Sequence, residues 1–314
     1  MLSMRHVLYP TDFSEPAASA LPLAVRVARE HGADLHALHA LVLHAADEAQ
    51  ADRLFPTLED AYRDIESWAE ERMASHLGEH HVPEVPLHEA RVRGFAAAPV
   101  ILEYAEEHDI DLIVMGTHGR RGLRHLLLGS VAEEVVRRAR CPVVTVRESP
   151  ALDGRRWPTR VVVPLDFSQN ADVALAYARE LGGETGATVD ILHVVEPAAV
   201  PDPYVMGGPG LTLDVEATRE RVTESLERRA AEALGESVTA TVHVEMGRPA
   251  AEIAAFAEAR SADLILMASH GHSGLDRVLL GSVAEGVVRR ASPPLMIVKP
   301  FGHQLVEGIT SSDA

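Results

Sequence analysis

The chain has 314 residues, 46% of them hydrophobic, which suffices for two globular domains with separate cores. Its 29 basic and 47 acidic residues give a net charge of −18, which argues against nucleic acid as the main partner. One cysteine excludes a disulfide framework and a cysteine-based zinc site. We find no signal segment and no apolar run near the roughly 20 residues of a membrane helix, so we expect a cytoplasmic protein with no membrane partner.

Short apolar runs alternate with helical patterns along the whole chain. Strands are predicted at 5–10, 34–42, 87–92, 111–116 and 142–147, and again at 159–164, 188–195, 238–246, 263–268 and 294–299. Helical spacing is clear at 16–30, 57–78 and 170–182, and in the second of these it places Trp68 beside Ala69 on the apolar side. This alternation predicts a parallel sheet covered by helices on both faces.

The second half of the chain repeats the first. The matched segments are HVLYPTDFS (6–14) with VVVPLDFSQ (161–169), DLIVMGTHG (111–119) with DLILMASHG (263–271), and GSVAEEVVRRA (129–139) with GSVAEGVVRRA (281–291). We therefore predict two tandem doubly wound, Rossmann-like α/β domains, each with a five-stranded parallel sheet. The predicted bounds are 1–149 and 157–300, followed by a C-terminal tail at 301–314.

A glycine-rich loop follows the fourth strand of each half, at the sheet edge where such folds bind ligands. It reads GTHGRRGLRHLLLGS at 116–130 and ASHGHSGLDRVLLGS at 268–282. Each loop opens on a helix predicted to begin at Ser130 or Ser282, whose free N–H groups and dipole suit a phosphate.

A structural explanation competes with ligand binding. Ser130 with Glu133 and Ser282 with Glu285 fit a capping box, which accounts for both residue types by helix initiation alone. A cap does not account for the nine residues that separate the glycines, from 119 to 129 and from 271 to 281, so the spacing favours a ligand loop.

Two common nucleotide sites are excluded. Lys299 is the only lysine and no Gly-Lys pair occurs, so a Walker A loop is absent. The glycines follow strand 4, whereas a dinucleotide fingerprint follows strand 1, where this chain has Asp12 and Asp166.

The G-x-x-G, nine-residue spacer and G-S pattern, together with PTDFS and strands ending LHA or LHV, resembles the ATP-binding branch of the universal stress protein family. The resemblance implies ATP, with or without Mg²⁺, as the bound cofactor. It implies an aspartate beside the adenosine, strand 2 backbone at the adenine, and the glycine loop around ribose and phosphates. The first site would contain Asp12, Ala40, Gly116, His118, Gly119, Gly129, Ser130 and Val131, and the second Asp166, Val194, Gly271, Gly281, Ser282 and Val283.

Several residues distinguish the two predicted sites. Ala268 replaces Gly116 and Leu165 replaces Thr11, so we expect the second site to bind more weakly. The loop histidines, His118 and its counterpart at 270, are candidate phosphate donors, with turn stabilisation as the alternative. Arginines at 120, 121 and 124 occur only in the first loop, and the insertion 201–210 is either a cover over the second site or an ordinary surface loop.

We find no convincing pair of nucleophile and base, and no histidine spacing typical of a metal site. His39 and His193 are expected to be satisfied interior or edge residues, and Cys141 a packed thiol. The leading hypothesis is a non-catalytic or very slow ATP-dependent regulator in stress response; the alternatives are a genuine ATPase or phosphotransferase, and a nucleotide-free scaffold. The resemblance also implies pairing through strand 5, between the two halves or between two chains as a homodimer.

Overall fold

The computed structural model describes residues 2–42, 58–79, 85–117, 128–148, 156–196, 215–269 and 280–306. Within these ranges the strands lie where the sequence predicts them. They are β1 His6–Pro10, β2 Asp34–Val42, β3 Leu87–Gly94, β4 Leu112–Gly116, β5 Val143–Val146, β6 Arg160–Pro164, β7 Thr188–Val195, β8 Ala240–Met246, β9 Leu264–Ala268 and β10 Leu295–Val298.

The helices fill the intervals between strands. They are α1 Glu15–Ala18, α2 Leu21–His31, α3 Leu58–Glu79, α4 Ala97–Glu107, α5 Ser130–Arg138, α6 Asn170–Thr185, α7 Val215–Leu234, α8 Pro249–Ala259 and α9 Ser282–Arg290. The helix predicted at 16–30 is divided in two by a turn at Ser19 and Ala20, whose backbone angles remain right-handed helical. Pro22, in the first turn of the second helix, has no N–H to donate to the Ala18 carbonyl. Its counterpart α6 is continuous. Every helix in the described ranges is too short or too polar to cross a bilayer.

The strands form one ten-stranded sheet in the order β3-β2-β1-β4-β5-β10-β9-β6-β7-β8. Pairing is parallel inside each half, and the halves join where β5 and β10 run antiparallel, with Thr145 opposite Leu295. The doubly wound α/β class is confirmed. In each half the strand order reverses beside the first strand, between β1 and β4 or between β6 and β9, which is where such sheets bind ligands.

Two apolar layers cover the sheet, one on each face. Successive strand residues point to opposite faces, so Tyr9 packs with α2 and α3 while its neighbour Leu8 packs with α4 and α5. In the second half α6 and α7 continue the first layer, and α8 and α9 the second. Each layer is therefore one core shared by both halves.

The first residues of the tail pack against both halves. The Leu305 N–H donates to the Tyr177 hydroxyl at 2.9 Å, and the Leu305 carbonyl accepts from the Ser3 N–H at 3.0 Å. His303 Nε2 lies 2.6 Å from the Asp111 carboxylate in the first half. Residues 301–306 are thus part of the folded unit.

Candidate functional site

The turn after the first strand of each half positions an aspartate at the carboxyl edge of the sheet. Asp12 Oδ1 accepts a hydrogen bond from the Ser14 N–H at 3.0 Å, and Phe13 adopts a left-handed φ of 62°. In the second half Asp166 makes the same 3.0 Å bond and Phe167 has the same φ of 62°. Such Asx turns fix the carboxylate against its own backbone, so both aspartates are held in one orientation. A left-handed phenylalanine is uncommon, and its recurrence marks a turn that both halves retain.

A histidine on the second strand supports this turn. His39 Nδ1 lies 2.7 Å from the Thr11 carbonyl, and His193 Nδ1 lies 2.7 Å from the Leu165 carbonyl. A carbonyl oxygen only accepts, so Nδ1 carries the proton in both rings. The prediction that these histidines are satisfied residues is confirmed.

The second strand extends beyond the first and leaves main-chain groups facing the site. β1 ends at Pro10, which lies opposite Leu38, whereas β2 continues to residue 42. The last main-chain bond between the two segments runs from the Thr11 N–H to the Leu38 carbonyl, at 2.8 Å. Backbone groups two residues apart in a strand face the same side, so Ala40 directs its N–H and carbonyl past the end of β1. Val194 lies at the matching place beyond the end of β6. Main-chain groups at such a position can pair with the edge of a planar base.

The glycine-rich loop is closed at its base in both halves. The Thr117 N–H donates to Val146 at 3.1 Å, and the Thr117 carbonyl accepts from the Gly129 N–H at 2.8 Å. In the second half the Gly281 N–H donates to the Ser269 carbonyl at 2.9 Å. The segment that follows β4 or β9 therefore returns to the sheet edge immediately before the next helix.

The helix after each loop begins as predicted, but the capping-box explanation of its serine is wrong. The N-cap residue is Gly129 in the first half and Gly281 in the second, and neither helix has a side-chain cap hydrogen bond. Ser130 and Ser282 are one position further on, as the first helical residues, and both are exposed. Among the described residues no side chain caps the first turn of N–H groups, and this turn, with the positive end of the helix dipole behind it, suits an anion.

Val131 and Val283, the next residues along, are half-buried against the second apolar layer. Their side chains therefore anchor the first helical turn to the sheet. Only their main-chain N–H groups are suited to the role that the resemblance implies.

Gly116 has a packing role that the sequence did not indicate. A Cβ at this position would overlap the carbonyl oxygen of Pro16 and lie 3.0 Å from Ala17 Cα, because α1 crosses the end of β4. The corresponding Ala268 is half-buried at the end of β9. Gly116 therefore has a packing reason that does not involve a ligand, and the expected weakness of the second site remains a prediction.

Some predicted residues lie outside the described ranges. They are His118, Gly119 and Gly271, together with the loop residues His270, Arg120, Arg121 and Arg124 and the insertion 201–210. Within the described ranges no group of three His, Cys, Asp or Glu residues is arranged to hold a metal ion. Cys141 is a buried packed thiol, as predicted, and burial raises its pKa to about 12, so it stays protonated and inert near neutral pH.

One residue that supports the second turn was not predicted. Arg229 on α7 donates to the Phe167 carbonyl at 3.2 Å, to the Ser168 carbonyl at 2.7 Å and to Asp172 Oδ1 at 2.6 Å. It therefore clamps the turn that carries Asp166 from a helix about 60 residues further along the chain. No local motif contains this contact, so only the tertiary structure reveals it.

Comparison with known proteins agrees with this architecture. The model of the universal stress protein family matches residues 4–147 and again residues 158–299. The chain belongs to the universal stress protein family, in tandem form. A universal stress protein of Mycolicibacterium smegmatis is 29% identical over 94% of this chain and 97% of its own length. One from Mycobacterium tuberculosis is 31% identical over 64% of this chain, and the match spans only 65% of that relative.

Solved structures support the same fold over the full length. A universal stress protein from Archaeoglobus fulgidus is 25% identical, with a TM-score of 0.63, and the match covers 94% of this chain and 98% of that one. A structure from Pseudomonas aeruginosa has a TM-score of 0.61 at 16% identity and supports the fold alone. The tandem arrangement is therefore shared with full-length relatives.

Proposed function

We propose that each half binds an adenine nucleotide, ATP with or without Mg²⁺, at the carboxyl edge of its part of the sheet. The observation that carries this proposal is the first turn of α5, at Ser130, which has no side-chain cap, beside the backbone of Ala40, which continues β2 past the end of β1. β2, β1 and β4 are consecutive in the sheet, so the base contact and the phosphate contact are about 10 Å apart laterally, a span that suits a nucleotide.

Each part of the nucleotide has a chemically suited group. The N–H and carbonyl of Ala40 or Val194 would pair with the adenine edge, as one donor and one acceptor. Asp12 or Asp166 would accept from the ribose or adenine. The N–H groups at Ser130 and Val131, or Ser282 and Val283, would bind phosphate oxygens at the positive end of a helix dipole. The glycine loops are proposed to enclose the phosphates, with Gly119 and Gly271 as in the family pattern and His118 as an additional phosphate donor.

We propose that ATP acts as a regulatory ligand and that the protein hydrolyses it very slowly or not at all. Asp12 and Asp166 are the single carboxylates of their turn motifs, TDFS and LDFS, whereas a hydrolase needs a positioned water and a base beside the phosphates. The conformational difference between nucleotide-bound and free protein would then be the signal in a stress response. We place this function in the cytoplasm, and we propose that the pairing of β5 with β10 inside one chain is the domain pairing that the family resemblance implies.

The test is to denature the purified protein, identify the released nucleotide and measure its molar ratio. Thermal unfolding with added ATP then gives the shift that binding predicts. The matched variants are Asp12→Asn and Asp166→Asn, because an asparagine keeps the Asx turn and removes only the charge. Loss of the ATP shift with an unchanged melting temperature in the absence of ligand supports the proposal.

Two outcomes favour the alternatives. Hydrolysis with Mg²⁺ above about 1 per second, in the ordinary enzyme range, would identify an ATPase or phosphotransferase. No bound nucleotide and no thermal shift with ATP would identify a nucleotide-free scaffold.

A further inference from the structure

The second half contains an open groove that the proposed nucleotide site does not use. It lies between α6 and α7 and encloses about 580 Å³. Phe167, Ala176 and Ala233 form its apolar floor, and Ser225 lies on its α7 wall. We call this the α6–α7 groove. A concavity with an apolar floor and a largely charged rim suits a small molecule that has both an apolar and a charged part.

Comparison of the two halves shows which residues open the groove. In α3 the buried residues Ala69, Met73 and Leu77 follow one another at intervals of four, and Gly78 comes next. In α7 the residues Leu226, Ala230, Leu234 and Gly235 have the same spacing and burial. Position by position, Ser225 therefore takes the place of Trp68, and Ala233 the place of His76.

In the first half these two rings fill the corresponding space. The ring centroid of Trp68 lies 5.7 Å from that of Phe13, and that of His76 lies 5.8 Å away, both in edge-on geometry. His76 Nε2 is also 2.8 Å from the Tyr9 hydroxyl, and Phe13 is only 8% exposed. The matching Phe167 is half-buried. The groove is thus the volume that an indole and an imidazole occupy in the first half.

Charged residues at the rim of the groove determine which ligand charge it favours. Arg179, Arg228 and Arg229 line the groove together with two acids, Asp172 and Glu232. Arg229 is engaged with Asp172 at 2.6 Å and with main-chain carbonyls. Arg179 is half-exposed and contacts Glu180 only at 3.4 Å, so its guanidinium can bind an added carboxylate more strongly than a neutral group.

We propose that the α6–α7 groove binds a planar aromatic carboxylate, with its ring against Phe167 where Trp68 and His76 lie in the first half. Aromatic rings favour the edge-on contacts that Phe13 already makes, and the carboxylate lies toward Arg179 and Arg228. The proposal does not depend on nucleotide binding, because the groove lies between α6 and α7 and uses none of the proposed nucleotide ligands. Its occupant contacts Phe167, the residue directly after Asp166, so the groove adjoins the turn that carries Asp166.

Isothermal titration of the full chain with indole-3-acetate tests this proposal. A ligand of this size with ordinary efficiency is expected to bind one site with a Kd between about 10 µM and 1 mM. Ser225→Trp fills the groove from within, as Trp68 does, and is expected to weaken binding at least about tenfold. The matched control is Glu227→Trp, which adds the same ring at an exposed position on another face of α7 and should leave Kd within about twofold.

Indole-3-ethanol, which has the same ring without the charge, is expected to bind more weakly than indole-3-acetate, and Arg228→Gln should reduce that difference. No binding of either compound, or equal binding to wild type and Ser225→Trp, would overturn the proposal. Self-association of the wild type that Ser225→Trp abolishes would assign the groove to a second copy of the chain and also overturn it.

Discussion

Lys299, the only lysine of the chain, donates from Nζ to the main-chain carbonyl of Ala139 at 2.5 Å. A second bond of 3.0 Å reaches the Arg137 carbonyl, so a residue at the end of β10 completes the carboxyl end of α5 in the other half. Arg147, at the end of β5, reciprocally donates to the Arg289 carbonyl at the end of α9. The junction between the halves is thus held by side chains as well as by the β5–β10 ladder.

Lys299→Met is expected to lower the free energy of unfolding by about 1–3 kcal/mol, because it leaves two carbonyls at the junction without their donor. Urea unfolding at pH 7 measures the change. Burial lowers the pKa of Lys299 to about 8, so the amine is still mostly protonated at that pH. Arg138→Met, which removes an exposed partner of Glu134 on the same helix, should change stability by less than about 1 kcal/mol. Equal effects of the two variants would contradict a special role for Lys299.

Ser130→Ala separates helix capping from phosphate binding. The N-cap is Gly129, so loss of the hydroxyl should change the stability of the ligand-free protein by less than about 0.5 kcal/mol. If the hydroxyl contacts phosphate, the thermal shift produced by ATP should decrease markedly. Ser282→Ala is the same experiment in the second half, and comparison of the two variants ranks the sites. A large loss of ligand-free stability would restore a capping role.

Gly116→Ala is expected to destabilise the first half by about 1–3 kcal/mol, because the added methyl group overlaps the backbone of α1. The reciprocal change, Ala268→Gly, should cost no more than about 1 kcal/mol, through added chain entropy in a strand. Chemical denaturation without nucleotide measures both. If Gly116→Ala proves neutral in stability but abolishes ATP binding, the glycine serves the ligand and not the packing.

Low pH is expected to lower the free energy of unfolding, because the folded protein holds His36 in its neutral form. Burial lowers the pKa of His36 to about 4, with further lowering by His88, His6 and His108. The unfolded chain, with a pKa near 6.5, then binds more protons than the folded one between pH 6.5 and 4, so stability falls as pH falls through that window. The loss is expected to reach about 2–3 kcal/mol, measured by urea unfolding at pH 7.0 and 4.5. His36→Gln should show a smaller acid loss than wild type.

His303 provides a control of opposite sign. Its hydrogen bond to Asp111 raises the pKa of His303, so its contribution is fully present below the unfolded pKa and is lost as pH rises through the folded value. His303→Gln should therefore destabilise the protein most at low pH. If both variants changed stability equally at the two pH values, histidine titration would not explain the acid response.

The sequence was sufficient to locate the strands and the duplication, because buried parallel strands are short, apolar and separated by amphipathic helices. The tandem repeat also indicated which positions correspond. Ser130 shows where local patterns are ambiguous: S-x-x-E fits a serine at the N-cap and a serine one residue later equally well, and only the backbone distinguishes them.

Two other features depend on distant parts of the chain. Trp68 was placed on the apolar side of its helix; its ring meets Phe13 and His39 in edge-on geometry, yet the residue is 41% exposed. The requirement for glycine at 116 comes from α1, about 100 residues earlier in the chain. Neither contact has a periodicity or a motif, so neither was predictable from sequence.

The order of strands also limits how copies of the chain can associate. β5 has β4 on one side and β10 on the other, and β10 lies between β5 and β9, so neither has an unpaired edge. Within the part of the chain that the structure describes, β3 and β8 are the terminal strands, at opposite ends of the sheet. Because β5 and β10 pair with each other inside one chain, neither offers its edge to a second copy, and an assembly that extended the sheet would have to add to β3 or β8.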